Sequence, residues 1–290
     1  MKVSLNKVLR RDLARGAGHI MPGAANALAA RVIEAAGHRM MMVSGAAVAN
    51  TYLGVPDIGL VSVTELASHV AAVREAVSIP ILADADTGFG NALNARRTVQ
   101  LLERAGANAI MLEDQTYPKR CGHFEGKDVI PKAEMVAKLK AAVDARVDGD
   151  LMILARTDAR AVEGFEAALD RARAYQEAGA DFLFIEAPLT KEELTSIPKL
   201  VPGIHLCNMV IGGKTPLLPR EELAAAGYAV ICYANAALQA SLLAMQSVLG
   251  HLNDKGSIAG IESQLMMFAE RQKVLDADKF KALEKKYVTP

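Results

Sequence analysis

The feature that most restricts the fold of this chain is a phrase that recurs four times along it. The phrase joins an alanine-rich stretch and a glycine to a short apolar run; it reads AAGHRMMMVS from residue 35, AGANAIMLE from 105, AGADFLFIE from 178 and AAGYAVICY from 225. A glycine suits the left-handed end of a helix, and an apolar run of this length suits a buried strand. Each copy therefore predicts a junction at which a helix leads into a strand.

Four more apolar runs bring the number of predicted strands to eight; they read GHIMPG, IPILADAD, DLMILARTD and GIHLCNM. The segments between the runs carry apolar residues three and four positions apart, which is typical of amphipathic helices. Strands that alternate with such helices predict a parallel sheet covered by helices, and eight units predict a (β/α)8 TIM barrel. The alternative is a doubly wound open sheet, but no G-x-G-x-x-G follows the first run.

The barrel is predicted to occupy residues 1–240 as the catalytic domain. Residues 241–290 contain more helix than eight units need, including SQLMMFAERQKVLDADKFKALEKKYV. An amphipathic helix with nothing left to cover in its own chain often covers another subunit. We therefore expect a C-terminal helical extension that packs on a neighbouring subunit.

The composition argues against several classes of partner. The 33 Lys and Arg residues are balanced by 33 Asp and Glu residues, so no basic surplus indicates nucleic-acid binding. The longest apolar runs are interrupted by polar side chains, and the N-terminal MKVSLNKVLRRDLARG lacks the apolar core of a secretion signal. We expect a cytoplasmic protein that binds neither nucleic acid nor a membrane.

Polar residues stand at the end of most predicted strands. A single such residue is often only a helix cap or a turn former. In a barrel, however, all strand ends open onto the C-terminal face, where these folds carry their active sites. We therefore predict a site on that face; the strand-end residues that would form it are Ser44, Gly45, Asp84, Asp86, Glu113, Asp114, Arg156, Asp158, Glu186, Asn208 and Tyr233.

The sequence ADADTGFGN contains the sharpest of these clusters. Asp84 and Asp86 are two positions apart, so on an extended strand both carboxylates would point the same way. Converging carboxylates repel each other unless a cation or a proton lies between them, and oxygen ligands favour Mg²⁺ or Mn²⁺ over zinc. The pair predicts a magnesium site, with Mn²⁺ as a substitute.

The loop KRCGHFEGK, residues 119–127, places one thiol among cations. Lys119 and Arg120 precede Cys121, and Lys127 follows it, so nearby positive charge would favour the thiolate if those side chains turn toward it. Gly122 and Gly126 would let the segment move as a lid that closes over substrate. The alternative is an incidental surface thiol in a basic loop.

These motifs together resemble the isocitrate lyase and phosphoenolpyruvate mutase superfamily. The resemblance runs from about residue 15 to residue 235 and rests on SG at 44, PD-G at 56, DAD-GFG at 84, LEDQ at 112, KRCGH at 119, ARTDA at 155 and GGKTP at 212. The loop with its cysteine is similar to that of the carbon-carbon bond lyases. CGHFEGK together with CNMVIGGKTPLL is most similar to the 2,3-dimethylmalate lyase and petal-death-protein group.

The resemblance implies a role for each matching position. Mg²⁺ would be approached by Asp84 and Asp86, mostly through water. Ser44, Gly45 and Ala46 would hold a substrate carboxylate, and Arg156 would bind the carboxylate next to the oxygenated carbon. The residues expected to complete the site are Asp57, Glu113, Gly122, His123, Glu186 and Asn208. Members of this family exchange C-terminal helices between subunits, so the resemblance implies a homotetramer.

The reaction implied by the resemblance is cleavage of a substituted 2-hydroxy dicarboxylate, such as 2,3-dimethylmalate, to an α-keto acid and a carboxylate. The departing carbanion needs a proton, and a thiol on a closing lid could deliver it; Cys121 is therefore predicted to be a general acid. The alternatives are methylisocitrate lyase, an oxaloacetate hydrolase or decarboxylase, a phosphorus-carbon bond enzyme, and a catalytically silent barrel.

Three positions depart from the pattern of many relatives: Ala25, Asn26 and Ile211. The first two are expected in or near the pocket floor, and Ile211 near Asn208. All three changes favour a substrate with more apolar bulk than isocitrate.

Overall fold

Eight parallel strands form the centre of the molecule. The computed structural model describes residues 4–122, 124 and 126–288. The strands are β1 (His19–Ala24), β2 (Met41–Val43), β3 (Ile81–Asp84), β4 (Ala109–Glu113), β5 (Met152–Thr157), β6 (Phe182–Ile185), β7 (Leu206–Asn208) and β8 (Val230–Tyr233). All eight predicted apolar runs are confirmed as strands.

The helices follow the strands in the predicted alternation. They are α1 (Leu5–Ala14), α2 (Ala27–Ala35), α3 (Gly45–Val48), α4 (Val63–Ala76), α5 (Ala92–Arg104), α6 (Lys132–Asp144), α7 (Ala159–Val162), α8 (Phe165–Glu177), α9 (Lys191–Leu200), α10 (Arg220–Ala226), α11 (Ala236–Lys255), α12 (Phe268–Val274) and α13 (Ala277–Tyr287). A π-helical turn over Ala49–Leu53 follows α3, and a 3₁₀ turn covers Glu262–Gln264.

The sheet closes on itself. Its strand order is β6-β5-β4-β3-β2-β1-β8-β7, and every pair along it is parallel. A parallel bridge between Leu183 and His205 joins β6 to β7, and the Leu183 N–H donates to the Ile204 carbonyl at 2.9 Å. An open doubly wound sheet would leave these two strands as unpaired edges, so the predicted (β/α)8 barrel is confirmed.

The four repeated phrases are helix-to-strand junctions. Their glycines, Gly37, Gly106, Gly179 and Gly227, all have φ between +86° and +110°. Only glycine adopts this left-handed conformation without a steric cost, and it ends each helix one or a few residues before the next strand begins. The glycine that ends each of these helices can be recognised in the sequence, and it therefore predicts where four of the eight strands begin.

The core has two main layers. Side chains on alternate positions of the strands fill the barrel interior, which is rich in methionine; they include Met21, Met42, Leu82, Met111, Met152, Leu154, Phe182, Phe184 and Cys232. Leu9 and Leu13 of α1 join this interior cluster, so α1 packs against one end of the barrel. The other strand positions pack against α2, α4, α5, α6 and α8. With one end of the interior packed in this way, the opposite, C-terminal end carries the cavity described below.

The C-terminal helices present apolar side chains to the surface. The predicted boundary at residue 240 falls inside α11, which runs from Ala236 to Lys255. Large exposed apolar residues beyond it include Leu243, Leu249, Met266, Met267, Phe268 and Phe280. Among residues 4–288 as described, no helix combines the length and apolar character needed to span a lipid bilayer.

Candidate active site

A small cavity opens at the C-terminal ends of the strands. Nine of the predicted site residues line it: Ser44, Ala46, Asp57, Asp84, Cys121, Gly122, Arg156, Glu186 and Asn208. The cavity measures about 40 Å³. A bound water occupies at least about 10–15 Å³ on this measure, so this space holds roughly three waters. A dicarboxylate substrate can therefore enter only if part of the wall moves.

Three of the other predicted residues, Gly45, Asp86 and Glu113, lie next to residues that line the cavity. The Gly45 N–H, at the start of α3, donates to Asp84 Oδ2 at 3.1 Å. Asp86 pairs with Lys119, and Glu113 lies 3.2 Å from Arg156 Nη1. His123 lies outside the described residues. The roles of all these residues remain predictions.

Asp84 and Asp86 converge, but not for the reason that the sequence suggested. The strand ends at Asp84, and Asp86 has φ +47°, so the two residues do not share one extended segment. The turn instead folds back, and the Asp86 N–H donates to Asp84 Oδ1 at 3.2 Å. A Cβ atom added to Gly45 would lie 2.9 Å from Asp86 Oδ1 and 3.2 Å from Asp84 Oδ2. Glycine at position 45 thus allows both carboxylates to approach the start of α3.

A lysine ammonium group lies within this carboxylate cluster. Lys119 Nζ is 2.5 Å from Asp57 Oδ1 and 2.8 Å from Asp86 Oδ1, and the lysine side chain is only 3% exposed. Burial opposes the charge of Lys119, but the surrounding carboxylates outweigh it and raise the pKa of this lysine well above its usual value. The sequence had suggested that Lys119 acts on the Cys121 thiol, whereas its observed partners are carboxylates.

The charge balance of the site suits an added cation. Six buried carboxylates, Asp57, Asp84, Asp86, Glu113, Asp158 and Glu186, accompany three buried cations, Lys119, Lys127 and Arg156. Burial raises the pKa of Asp86 to about 6, with Asp84 and Asp57 adding to the effect against Lys119. Burial likewise raises the pKa of Glu113 well above its usual value. The surplus of carboxylates over cations, and not these shifts alone, indicates that the site has room for a further positive charge.

The available carboxylate oxygens fit Mg²⁺ better than a metal whose ligands must all come from the protein. Within the described ranges, no three His, Cys, Asp or Glu side chains converge as a ready-made metal-binding group. Magnesium is usually held by one or two carboxylates, with water and substrate oxygens in the remaining positions. Asp84 lines the cavity and Asp86 lies beside it, so this pair matches that requirement.

Arg156 is surrounded by acidic side chains. Asp158 accepts two bonds from the guanidinium, Nε to Oδ2 at 2.9 Å and Nη2 to Oδ1 at 3.1 Å. Glu113 and Glu186 lie 3.2 and 3.3 Å away, and the guanidinium carbon is 5.4 Å from the centre of the Phe184 ring. Arg156 is therefore held in one orientation at the cavity wall, with its charge largely compensated.

The loop that carries Cys121 covers the cavity. We call the described residues 115–122, 124 and 126–129 the lid; its ends are joined by an antiparallel bridge between Gln115 and Val129. The Cys121 N–H donates to the Asp57 carbonyl at 3.1 Å, and the Cys121 side chain lines the cavity. The cysteine is half-buried rather than exposed. Lys119 and Lys127, which the sequence places beside the thiol, are both buried in ion pairs with carboxylates.

One lid residue is packed closely enough to limit what could replace it. A Cβ atom added to Gly122 would lie 2.5 Å from Arg156 Nη2 and 2.6 Å from Glu186 Oε2. No side chain fits in that space while the lid is closed. Gly122 thus lets the lid backbone touch the two charged groups at the cavity wall.

Part of the cavity wall is apolar. Met42, Met111, Phe184, Leu206 and Cys232 line it beside the acidic residues. They are inward-facing strand residues, which a pattern of alternating positions could have identified once the barrel was known. This wall gives the site a surface suited to small alkyl groups.

The three departures from the family pattern do not lie in this cavity. Asn26 caps α2 by accepting the Ala29 N–H at 2.9 Å, and Ala25 packs against Ala47 and Leu238. Ile211 is 70% exposed in the turn after β7. Ala25 and Asn26 are therefore beside the cavity and not on its wall, because the chain turns into α2 directly after β1.

Comparison with known proteins agrees with the fold and identifies the family. The family model described as Phosphoenolpyruvate phosphomutase matches residues 9–253. The 2,3-dimethylmalate lyase of Eubacterium barkeri is 44% identical over 270 residues, which cover 93% of each chain. The chloroplastic carboxyvinyl-carboxyphosphonate phosphorylmutase of Arabidopsis thaliana is 43% identical, over 92% of this chain and 80% of that protein.

Solved structures show the same similarity. A crystal structure of 2,3-dimethylmalate lyase, a PEP mutase/isocitrate lyase superfamily member, superposes with a TM-score of 0.93 at 30% identity, covering 99% of this chain and 97% of the other. A phosphonopyruvate hydrolase in complex with oxalate and Mg²⁺ gives 0.89 at 32% identity, covering 99% and 100%. The chain belongs to the phosphoenolpyruvate mutase/isocitrate lyase superfamily and is an enzyme of this group of lyases and mutases.

Proposed function

We propose that the protein cleaves the C2–C3 bond of a substituted 2-hydroxy dicarboxylate similar to 2,3-dimethylmalate, yielding an α-keto acid such as pyruvate and a carboxylate. The observation that carries this proposal is the placement of one lid thiol, Cys121, on the same small cavity as Asp84 and Arg156. The 44% identity to a 2,3-dimethylmalate lyase and the apolar part of the cavity wall support the proposed substrate class.

The residues of the site would first bind and orient the two carboxylates of the substrate. Arg156 is the cation that faces the cavity from β5, and its guanidinium would form a charge-assisted hydrogen bond with one substrate carboxylate. Ser44 and Ala46 lie opposite, at the start of α3, where backbone N–H groups point outward. Two anchors on different strands would fix the bond to be broken beneath the lid.

Asp84 and Asp86 would hold the metal, with Mg²⁺ proposed and Mn²⁺ as a substitute. When bound, such an ion acts as a Lewis acid that polarises substrate oxygens and orients the substrate. The protein supplies a place for the proton of the substrate hydroxyl. Burial raises the pKa of Glu113 well above its usual value, so Glu113, which lies beside Arg156 and is not a proposed metal ligand, can hold this proton.

The atoms and electrons of the cleavage balance. The hydroxyl group loses its proton and becomes the carbonyl of the α-keto acid, while the electrons of the C2–C3 bond stay on C3 as a carboxylate-stabilised carbanion. Cys121 would donate the proton that converts this carbanion to the second product. Because the closed lid leaves room for only a few waters, proton delivery depends on a group within the cavity wall.

A phosphorus-carbon bond reaction is the second candidate, because a relative at 43% identity is named as a phosphorylmutase. The cavity-lining thiol favours the carbon-carbon lyase, since a phosphoryl migration requires no proton donor for a carbanion. Methylisocitrate lyase and oxaloacetate hydrolysis use similar oxyanions and are tested in the same experiment.

The experiment offers 2,3-dimethylmalate, methylisocitrate, isocitrate, oxaloacetate and phosphonopyruvate separately, with Mg²⁺ or with a chelator. Products are identified by NMR. Formation of an α-keto acid from 2,3-dimethylmalate only with Mg²⁺ would support the proposal. Turnover of phosphonopyruvate or oxaloacetate alone would favour the corresponding alternative.

We also propose that the enzyme is a homotetramer in which residues 241–290 pack on a neighbouring subunit. The exposed apolar side chains of α11–α13 support this assembly. Sedimentation equilibrium distinguishes a tetramer from a dimer or a monomer. The cytoplasmic location stays a prediction from the sequence.

A further inference from the structure

A buried ion pair joins the lid to the wall of the barrel. Lys127 Nζ lies 2.8 Å from Asp158 Oδ1, and the two side chains are 2% and 0% exposed. The same ammonium group also donates to the carbonyl of Gly122, the residue next to Cys121. A lysine side chain is almost never fully buried without a partner. The burial of Lys127 therefore depends on the closed position of the lid, which brings this lysine to Asp158.

Asp158 is fixed by the barrel and not by the lid. Its N–H donates to Asp114 Oδ1 at 2.9 Å. Asp114 is itself held by the Thr157 hydroxyl and the Tyr175 hydroxyl, each at 2.7 Å, and by Arg171 Nη1 at 3.3 Å. The backbone of Asp158 is therefore anchored in the barrel, which places its carboxylate as a docking point for a lid lysine.

The same carboxylate also orients Arg156. Asp158 Oδ1 accepts from both Lys127 Nζ and Arg156 Nη2, while Oδ2 accepts from Arg156 Nε. These bonds to Arg156 are shorter than the contacts that Glu113 and Glu186 make with it. One side chain thus contacts the lid and the proposed substrate-binding guanidinium at once.

We infer that Lys127 and Asp158 are positioning residues that couple closure of the lid to the alignment of Arg156. When the lid closes, Lys127 docks on Asp158 and fixes the backbone at Gly122. Asp158 at the same time holds the guanidinium against the closed lid. The substrate-binding role of Arg156 in this inference rests on the proposed function. The contacts of Lys127 and Asp158 can be tested without any substrate.

The first test measures how often the lid opens. The protein is treated with iodoacetamide, and the alkylation rate of each cysteine is followed by mass spectrometry. Loss of a buried, charge-assisted hydrogen bond should make the lid open more often, so in Lys127→Gln the alkylation rate of Cys121 should rise roughly tenfold. Cys207 is buried in the barrel and does not line the cavity, so it should stay unreactive, which shows that the variant is folded.

A matched control removes another lysine-aspartate pair. Lys132 Nζ lies 2.6 Å from Asp170 Oδ2, but both side chains are about half exposed and lie outside the lid. Lys132→Gln should leave the alkylation rate of Cys121 unchanged. An unchanged rate in Lys127→Gln would overturn the role of Lys127, whatever reaction the enzyme catalyses.

The second test measures coupling to Arg156, with oxalate and Mg²⁺ as the probe in titration calorimetry. Lys127→Gln and Asp158→Asn should each weaken oxalate binding, and the double variant should bind no more weakly than Asp158→Asn alone. Losses that simply add would show that lid and guanidinium are independent, which contradicts the inference. Because alkylation needs no substrate and oxalate is not turned over, failure of the proposed reaction would leave both results interpretable.

Discussion

Lys119 Nζ lies 2.8 Å from Asp86 Oδ1, so a cation carried by the lid occupies the carboxylate cluster that is proposed to bind Mg²⁺. The same ammonium group contacts Asp57, whose backbone carbonyl binds the Cys121 N–H. Closure of the lid and the charge of the metal site are therefore linked through one side chain.

Replacement of Lys119 by methionine should tighten Mg²⁺ binding. The substitution keeps the length of the side chain but removes a positive charge close to Asp86, and like charges at this separation repel in a buried site. We expect several-fold tighter Mg²⁺ binding at pH 8, which is roughly the effect of removing one screened repulsion between two positive charges. Titration calorimetry measures the affinity, and Lys132→Met is the control. Weaker binding in Lys119→Met would show that the lysine supports the metal.

The stabilisation by Mg²⁺ should depend on the protonation of Asp86, whose pKa burial raises to about 6. Between the ordinary value of 3.8 and about 6, the folded protein binds more protons at this group than the unfolded chain does. The contribution of Asp86 to the free energy of unfolding of the metal-free protein should therefore decrease as the pH rises through that window. Mg²⁺ requires the ionised carboxylate, so its effect should increase over the same range.

Calorimetric unfolding at pH 5 and pH 7.5, each with Mg²⁺ and with a chelator, checks this expectation. The increase in Tm caused by Mg²⁺ should be larger at pH 7.5. In Asp86→Asn the increase should be small at both pH values. An equal increase at both pH values in the unaltered protein would contradict the assignment.

Alanine at position 122 should prevent closure of the lid. Its Cβ atom would lie 2.5 Å from Arg156 Nη2 and 2.6 Å from Glu186 Oε2, so the lid backbone or the two charged groups must shift. A displacement of this kind in a catalytic site can reduce kcat/KM roughly 100-fold. Gly149→Ala is the matched control, because its added Cβ meets no atom within 4 Å. Equal kcat/KM values in the two variants would show that the close contact has no catalytic importance.

Serine at position 121 should abolish turnover and leave ligand binding intact. A hydroxyl group is a much weaker acid than a thiol, and loss of a general acid typically reduces kcat by about 10²–10⁴-fold. Binding of pyruvate in the presence of Mg²⁺ should be retained, as measured by calorimetry. Near-normal kcat in Cys121→Ser would remove the thiol from the mechanism.

The barrel could be predicted from the sequence because its signals are local. Gly106 and Gly179, for example, each mark a helix end directly before a buried strand, and no distant partner is needed to read them. Closure of the sheet, by contrast, depends on the bridge between Leu183 and His205, which lie in different strands. The number of units, and not any single residue, predicted that closure.

The site was predicted less completely because its geometry depends on residues far apart in the chain. The turn after Asp84 places Asp86 by folding back, which two-residue spacing could not show. The sequence places Lys119 and Lys127 close to a thiol, although both are buried against carboxylates from distant segments. Nothing in the local sequence of either lysine identifies such a partner.

The most direct test of the central claim is the reaction of 2,3-dimethylmalate with Mg²⁺ in D₂O, followed by NMR of the products. We expect pyruvate together with propionate that carries one deuterium at C2, because the cleaved bond leaves a carbanion and the exchanged Cys121 thiol supplies its deuteron. The absence of both products, with turnover of a phosphonate or of oxaloacetate instead, would contradict the claim that this enzyme is a carbon-carbon lyase of such dicarboxylates.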